Sequence, residues 1–120
     1  MADHQISLNL GITIEIMTVK FNNQYLEKLF ENKPVSGKPK FAPEIIIKFK
    51  KTVLKMQFAK NLGELQKLKG LNFEALKGKW KGLYSVRVDI QYRLILKIEE
   101  DRSITISDVI IIENLSKHYE

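Results

Sequence analysis

The run Leu76-Lys77-Gly78-Lys79-Trp80-Lys81-Gly82 alternates three lysines with two glycines and an indole, and leads straight into Leu83-Tyr84-Ser85-Val86-Arg87-Val88. A second apolar run, Tyr92-Arg93-Leu94-Ile95-Leu96-Lys97-Ile98, follows after a short connection. Ammonium groups in a turn and a guanidinium on the next strand suit one chemical task, the holding of phosphate. Lysine does this as a point charge, whereas Arg93 offers a rigid fork of donors matched to phosphate oxygens. Trp80 adds a face on which a base can stack, although an indole in a turn equally serves as a packing anchor over the end of a sheet. Arg93 likewise has a purely structural reading, as the cross-strand ion-pair partner of Asp89 or Glu99.

The whole chain leans the same way. Its 120 residues carry 20 Lys and Arg against 14 Asp and Glu, a formal charge of +6, which favours a polyanionic partner: nucleic acid, an anionic membrane surface or an acidic protein. Without cysteine, thiolate catalysis, disulfides and cysteine zinc sites are excluded, and a reducing compartment is permitted. No apolar run reaches the roughly 18 residues of a membrane span. Residues 1–16 lack a basic n-region and a small-residue cleavage site, so they are read as a leader or extension of open status, with Met17 an equally good natural start and residues 17–120 a single domain.

The elements that must position these groups follow from periodicity. Alternation from Gly11 to Phe21 predicts at least one strand. Asn22 or Asn23 is placed to cap a short helix carrying Tyr25, Leu26, Leu29 and Phe30, which Pro34, Gly37 and Pro39 then terminate. Pro43 suits the first position of a longer helix running to about Lys60, with Ile45, Ile46, Phe49, Val53 and Met56 as its core stripe. Lys48, Lys51 and Lys55 share another face, either solvated or a track for an RNA backbone. Asn61 to Leu68 adds a further helical turn. After Gly70 the period becomes strand-like: Tyr84 to Ile90, Tyr92 to Glu99 and Ile104 to Ile112, with Glu100-Asp101-Arg102 as a hairpin loop and Val109 to Ile112 a central strand covered on both faces. This order implies an α+β layer pair, an antiparallel sheet of about four to five strands packed against an N-terminal helical hairpin.

Leu76-Lys77-Gly78, Lys81-Gly82-Leu83-Tyr84-Ser85-Val86-Arg87-Val88 and Tyr92-Arg93-Leu94 together resemble the HigB branch of the RelE/ParE toxin superfamily, the likeness being concentrated in Leu71 to Ile98. The resemblance implies a RelE-like fold and a bacterial, cytoplasmic type II toxin: a ribosome-dependent endoribonuclease, or mRNA interferase, neutralised by a helix-turn-helix, HigA-like antitoxin. Its chemistry is attack of a ribose 2′-hydroxyl on the adjacent phosphate, which needs a proton acceptor, a proton donor and cations around the crowded phosphorus, but neither metal nor cofactor.

Carried over residue by residue, Lys77 matches the lysine of the turn and contacts the scissile or a neighbouring phosphate, Arg93 matches the strand arginine, and either Lys77 or Glu74 receives the 2′ proton. His118 and Tyr119 resemble the family's Tyr-His ending with the order reversed; either supplies the leaving-group proton, and Tyr119 also suits stacking. His118 has a plainer reading as a tail residue. The position three before the lysine, often histidine in the family, is Glu74, a carboxylate able to accept a proton provided Lys77 or Arg93 lies close enough to offset its repulsion of phosphate. Lys79, Trp80 and Lys81, with Lys48, Lys51 and Lys55, complete the expected RNA-binding set. Two other functions fit the same residues: a ParE-like poison of DNA gyrase, and a non-enzymatic RNA- or ribosome-binding module.

Overall fold

The computed structural model describes residues 5–7, 13–15, 17–101 and 107–117. Two short strands, β1 (Gln5–Ser7) and β2 (Thr13–Glu15), pair with each other and stand apart from the main sheet. Met17 then donates its amide to the carbonyls of Gln57 and Ala59, and β3 (Thr18–Phe21) begins.

Asn23 opens α1 (Gln24–Phe30), its side-chain oxygen accepting from the Leu26 amide at 3.1 Å. This satisfies one of the amides that a helix start leaves without an internal partner. The connection over 31–42 carries Pro34, Gly37 and Pro39, and Pro43 at the first position opens α2 (Pro43–Gln57). Ile45, Phe49, Val53 and Met56 are buried as the 3.6-residue period requires, and Ile46 is half-buried. The helix stops at Gln57, short of Lys60. Asn61 caps α3 (Leu62–Gln66) through Glu64, and a 3-10 turn over Lys69–Leu71 follows.

Four further strands complete the sheet: β4 (Glu74–Ala75), β5 (Tyr84–Arg87), β6 (Tyr92–Asp101) and β7 (Ser107–Lys117). They line up as β3-β7-β6-β5-β4, antiparallel throughout except that β3 runs parallel to β7. The sheet is therefore mixed rather than wholly antiparallel. The run at Val109 to Ile112 does lie inside the sheet, flanked by β3 and β6. Two boundaries move. Glu100 and Asp101 belong to β6, where the ladder continues opposite Asp108 and Ser107, instead of forming the loop. Alternation through Val88 and Ile90 extends past the end of β5, because the Asp89 carboxylate accepts from the amides of Gln91 and Tyr92, both at 2.8 Å, and closes a turn that leaves Ile90 at its tip.

One sheet face packs on the helices. Val86, Leu94, Leu96, Ile110, Ile112 and Leu115 join Leu26, Phe49, Val53, Met56 and Leu65 in a single core. A bulge where the register shifts between Ile95 and Leu96 leaves Glu113 as the extra residue. That extra residue lets both Leu115 and Ile112 face the core, and its side chain and carbonyl accept from Asn22 and Asn23 at the start of α1. Among the described residues no helix is long and apolar enough to cross a membrane.

Candidate phosphate-binding site

The other sheet face carries the chemistry, and the strand period explains why. Since Val86, Leu94 and Leu115 turn inward, their neighbours Ser85, Arg87, Arg93 and Ser116 turn outward. The register sets Glu74 opposite Ser85 on β4 and β5, and Arg87, Arg93 and Ser116 in one row across β5, β6 and β7.

Arg93 is held in place. Its Nε donates to the Ser85 hydroxyl at 2.8 Å and its Nη2 to the Asn72 carbonyl at 2.6 Å, while Glu74 Oε1 stands 3.7 Å from Nη2. Asn72 follows the 3-10 turn in a left-handed conformation, φ +45, which asparagine tolerates better than most residues. Ser85 is wholly buried and the Arg93 side chain is 16% exposed, so the Nε bond is largely shielded from water, while Asn72 and Glu74 hold the guanidinium from exposed positions. This replaces the two expected ion-pair partners: Asp89 caps its turn, and Glu99 pairs with Lys97 at 3.3 Å. It also meets the condition on Glu74, whose carboxylate has a cation beside it.

Arg87 lies inside the motif that carries the resemblance but has no role assigned by it, and it stands directly opposite Arg93 and is exposed. Among the described residues its side chain makes no ion pair or hydrogen bond. Like charges directly opposite each other destabilise a sheet. Two guanidiniums in that relation, one hydrogen-bonded and one exposed, can coordinate one phosphate between them. The signal was present in the alternation Ser85, Arg87, but reading it needs the register of the β5–β6 hairpin.

Lys77 heads the turn that follows β4. Leu76 donates to the Leu83 carbonyl, a 3-10 turn spans Gly78–Trp80, and Gly78 and Gly82 take φ values of +64 and +96 that a side chain would strain. The bend thus holds Lys77, Lys79 and Lys81 exposed beside the strands that carry Glu74 and Ser85. Trp80 is half-buried with Lys79 Nζ 5.6 Å from its ring centroid, and it lies outside the central core. Lys48, Lys51 and Lys55 are exposed on α2. That helix covers the opposite face of the sheet, so these lysines do not share a patch with the arginines. His118 and Tyr119 lie outside the described residues. The described part of β7 ends at Lys117, one residue past Ser116 in the arginine row.

Several solved structures are similar in shape. The YoeB/ParE toxin from Agrobacterium tumefaciens is 12% identical, with 86% of this chain and 100% of that one covered and a TM-score of 0.49. YafQ from E. coli strain BL21(DE3) is 14% identical, covering 85% and 93%, with a TM-score of 0.46. The YoeB-YefM complex from Staphylococcus aureus gives 17% identity, 86% and 98% coverage and a TM-score of 0.45. No curated protein matches the chain by sequence. The family model for the RelE-like toxin of the type II toxin-antitoxin system HigB, by contrast, matches residues 19–109, a span holding Glu74, the Lys77 turn, Arg87 and Arg93. This chain belongs to the HigB-like toxin family.

Proposed function

We propose that this toxin is a metal-independent mRNA endoribonuclease that acts on the translating ribosome in the cytoplasm and is neutralised by a HigA-like, helix-turn-helix antitoxin. The observation that supports this reading is the pair of arginines facing each other on β5 and β6, with a carboxylate beside Arg93. Arg93 and Arg87 grip the non-bridging oxygens of the scissile phosphate and draw off charge as the phosphorus becomes five-coordinate. Glu74 receives the 2′-hydroxyl proton, the 2′ oxygen bonds to phosphorus, and the bond from phosphorus to the 5′ oxygen breaks. His118 or Tyr119 protonates that leaving oxygen, giving a 2′,3′-cyclic phosphate and a 5′-hydroxyl. Lys77 steadies a neighbouring phosphate, while Lys79, Trp80 and Lys81 guide the strand.

Primer-extension mapping of transcripts after induction tests the proposal. New 5′ ends inside coding regions are expected from the wild type and are expected to vanish in Arg87→Ala and Arg93→Ala. Arrested growth with intact messages would overturn it in favour of a gyrase poison.

A further inference from the structure

The outer edge of α2 is more apolar than a solvated helix face needs to be. Ile47, Leu54 and Phe58 are 55%, 44% and 68% exposed. Their separations of seven and four residues place them in one row, about 16 Å long at the ~1.5 Å rise of a helix. This row is distinct from the buried stripe of Ile45, Phe49, Val53 and Met56. At its far end lies a groove of about 370 Å³, lined by buried Ala59 and Leu71, exposed Phe58 and Leu68, and the cations Lys55 and Lys69. Among the described residues Glu64 is the one carboxylate that lines it. Lys51 is interleaved between Ile47 and Leu54 and is exposed.

We propose that this row and groove seat an acidic amphipathic helix of the antitoxin, an inference that rests on the toxin reading for the class of its partner. An apolar ridge about three turns long, bordered by Lys51, Lys55 and Lys69, is complementary to a helix with leucine-like residues on one stripe and carboxylates on its flanks. An RNA strand fits it less well. Phe58 offers a π-face for a single base, but Ile47, Leu54 and Leu68 offer only aliphatic surface, which nucleotides would leave in water. The arginine row lies on the sheet face that α2 does not cover. A helix seated here therefore holds the toxin without occupying the phosphate site, and blocking that site requires a separate segment of the antitoxin.

The test is fluorescence anisotropy with the full chain and a labelled peptide of about 14 residues, roughly four helical turns, with leucines at i, i+3 and i+7 and glutamates elsewhere. The leucine-periodic peptide is expected to bind at least about tenfold more tightly than a scrambled one of the same composition, to lose about tenfold on Phe58→Asp, and to be unaffected by Arg93→Ala. Equal binding of the scrambled peptide, no binding at all, or indifference to Phe58→Asp overturns the proposal. So does a single-stranded RNA oligonucleotide whose binding is lost on Phe58→Asp, a self-association that this substitution abolishes, or peptide binding that emerges only when residues 1–16 are removed. Phe58→Asp is expected to cleave messages on programmed ribosomes as the wild type does, showing the variant to be folded. The anisotropy assay contains no ribosome, so its failure leaves the nuclease reading standing, and absence of cleavage leaves peptide binding measurable.

Discussion

Ser85→Ala removes a single oxygen from the support of Arg93, and the consequences for stability and for rate can be worked out separately. The hydroxyl is buried and accepts from Nε at 2.8 Å, and no water reaches it to take over. A hydrogen bond to a charged group contributes about 1.5–3 kcal/mol, much of it the cost of leaving a desolvated donor unmet. The folded state should lose about that much, read as a lower urea midpoint at unchanged slope. The same energy, spent on keeping the guanidinium aligned, corresponds to about 10- to 150-fold in the population of the aligned rotamer. Because the Asn72 carbonyl still holds Nη2 at 2.6 Å, the lower end applies, and cleavage of messages on programmed ribosomes should fall about tenfold through kcat with little change in KM. Arg93→Ala should fall further, by about 10²–10³. A Ser85→Ala protein that is destabilised yet cleaves at the wild-type rate would show that Arg93 does not need this anchor, and the positioning argument would fail.

Arg87→Thr should separate stability from activity: relief of the like-charge pair raises stability by about 0.5 kcal/mol, while cleavage drops about 100-fold, as denaturation and primer extension would show. Phe49→Ala empties a fully buried site against Phe21, whose ring centroid lies 6.5 Å away, and should cost about 3–5 kcal/mol, enough to leave much of the chain unfolded at 37 °C by circular dichroism. Asn23→Ala removes the α1 cap and a contact to the Glu113 carbonyl, for a loss of about 1–2 kcal/mol in the same measurement. Ile90→Asn, at a turn tip where the side chain is 85% exposed, should change stability by less than about 0.5 kcal/mol.

Local rules carried well wherever one residue decides one structural event. Asn23 caps, Pro43 starts a helix, and the Ile45 to Met56 stripe is buried because a helix repeats its geometry every turn. Glu74, Ser85 and Arg93 come together because short antiparallel pairings inherit their register from the turn between them. What remained illegible depends on pairing between distant segments. Nothing in Thr18 to Phe21 says that its partner is Val109 to Ile112 or that the two run in the same direction. The Arg87–Arg93 pairing hinged on Asp89 ending β5 early, whereas apolar alternation through Ile90 suggested a longer strand whose register would have opposed different residues. The carbonyl of Asn72 gave no sign of its role, since a backbone acceptor has no side-chain signature.

The place of β7 between β3 and β6 constrains how the molecule can be born. The first and last strands of the main sheet in chain order are neighbours, Val19 lying beside Ile110, so a growing polypeptide that has reached Asp101 holds an unfinished sheet with two unsatisfied edges. Ser116 enters the arginine row only when this strand docks. Closure over so wide a gap in sequence is slow relative to helix formation. A nascent toxin thus carries Glu74, Arg87 and Arg93 on β4, β5 and β6 before residues 107–117 have emerged, and the row that ends in Ser116 is complete only once they have.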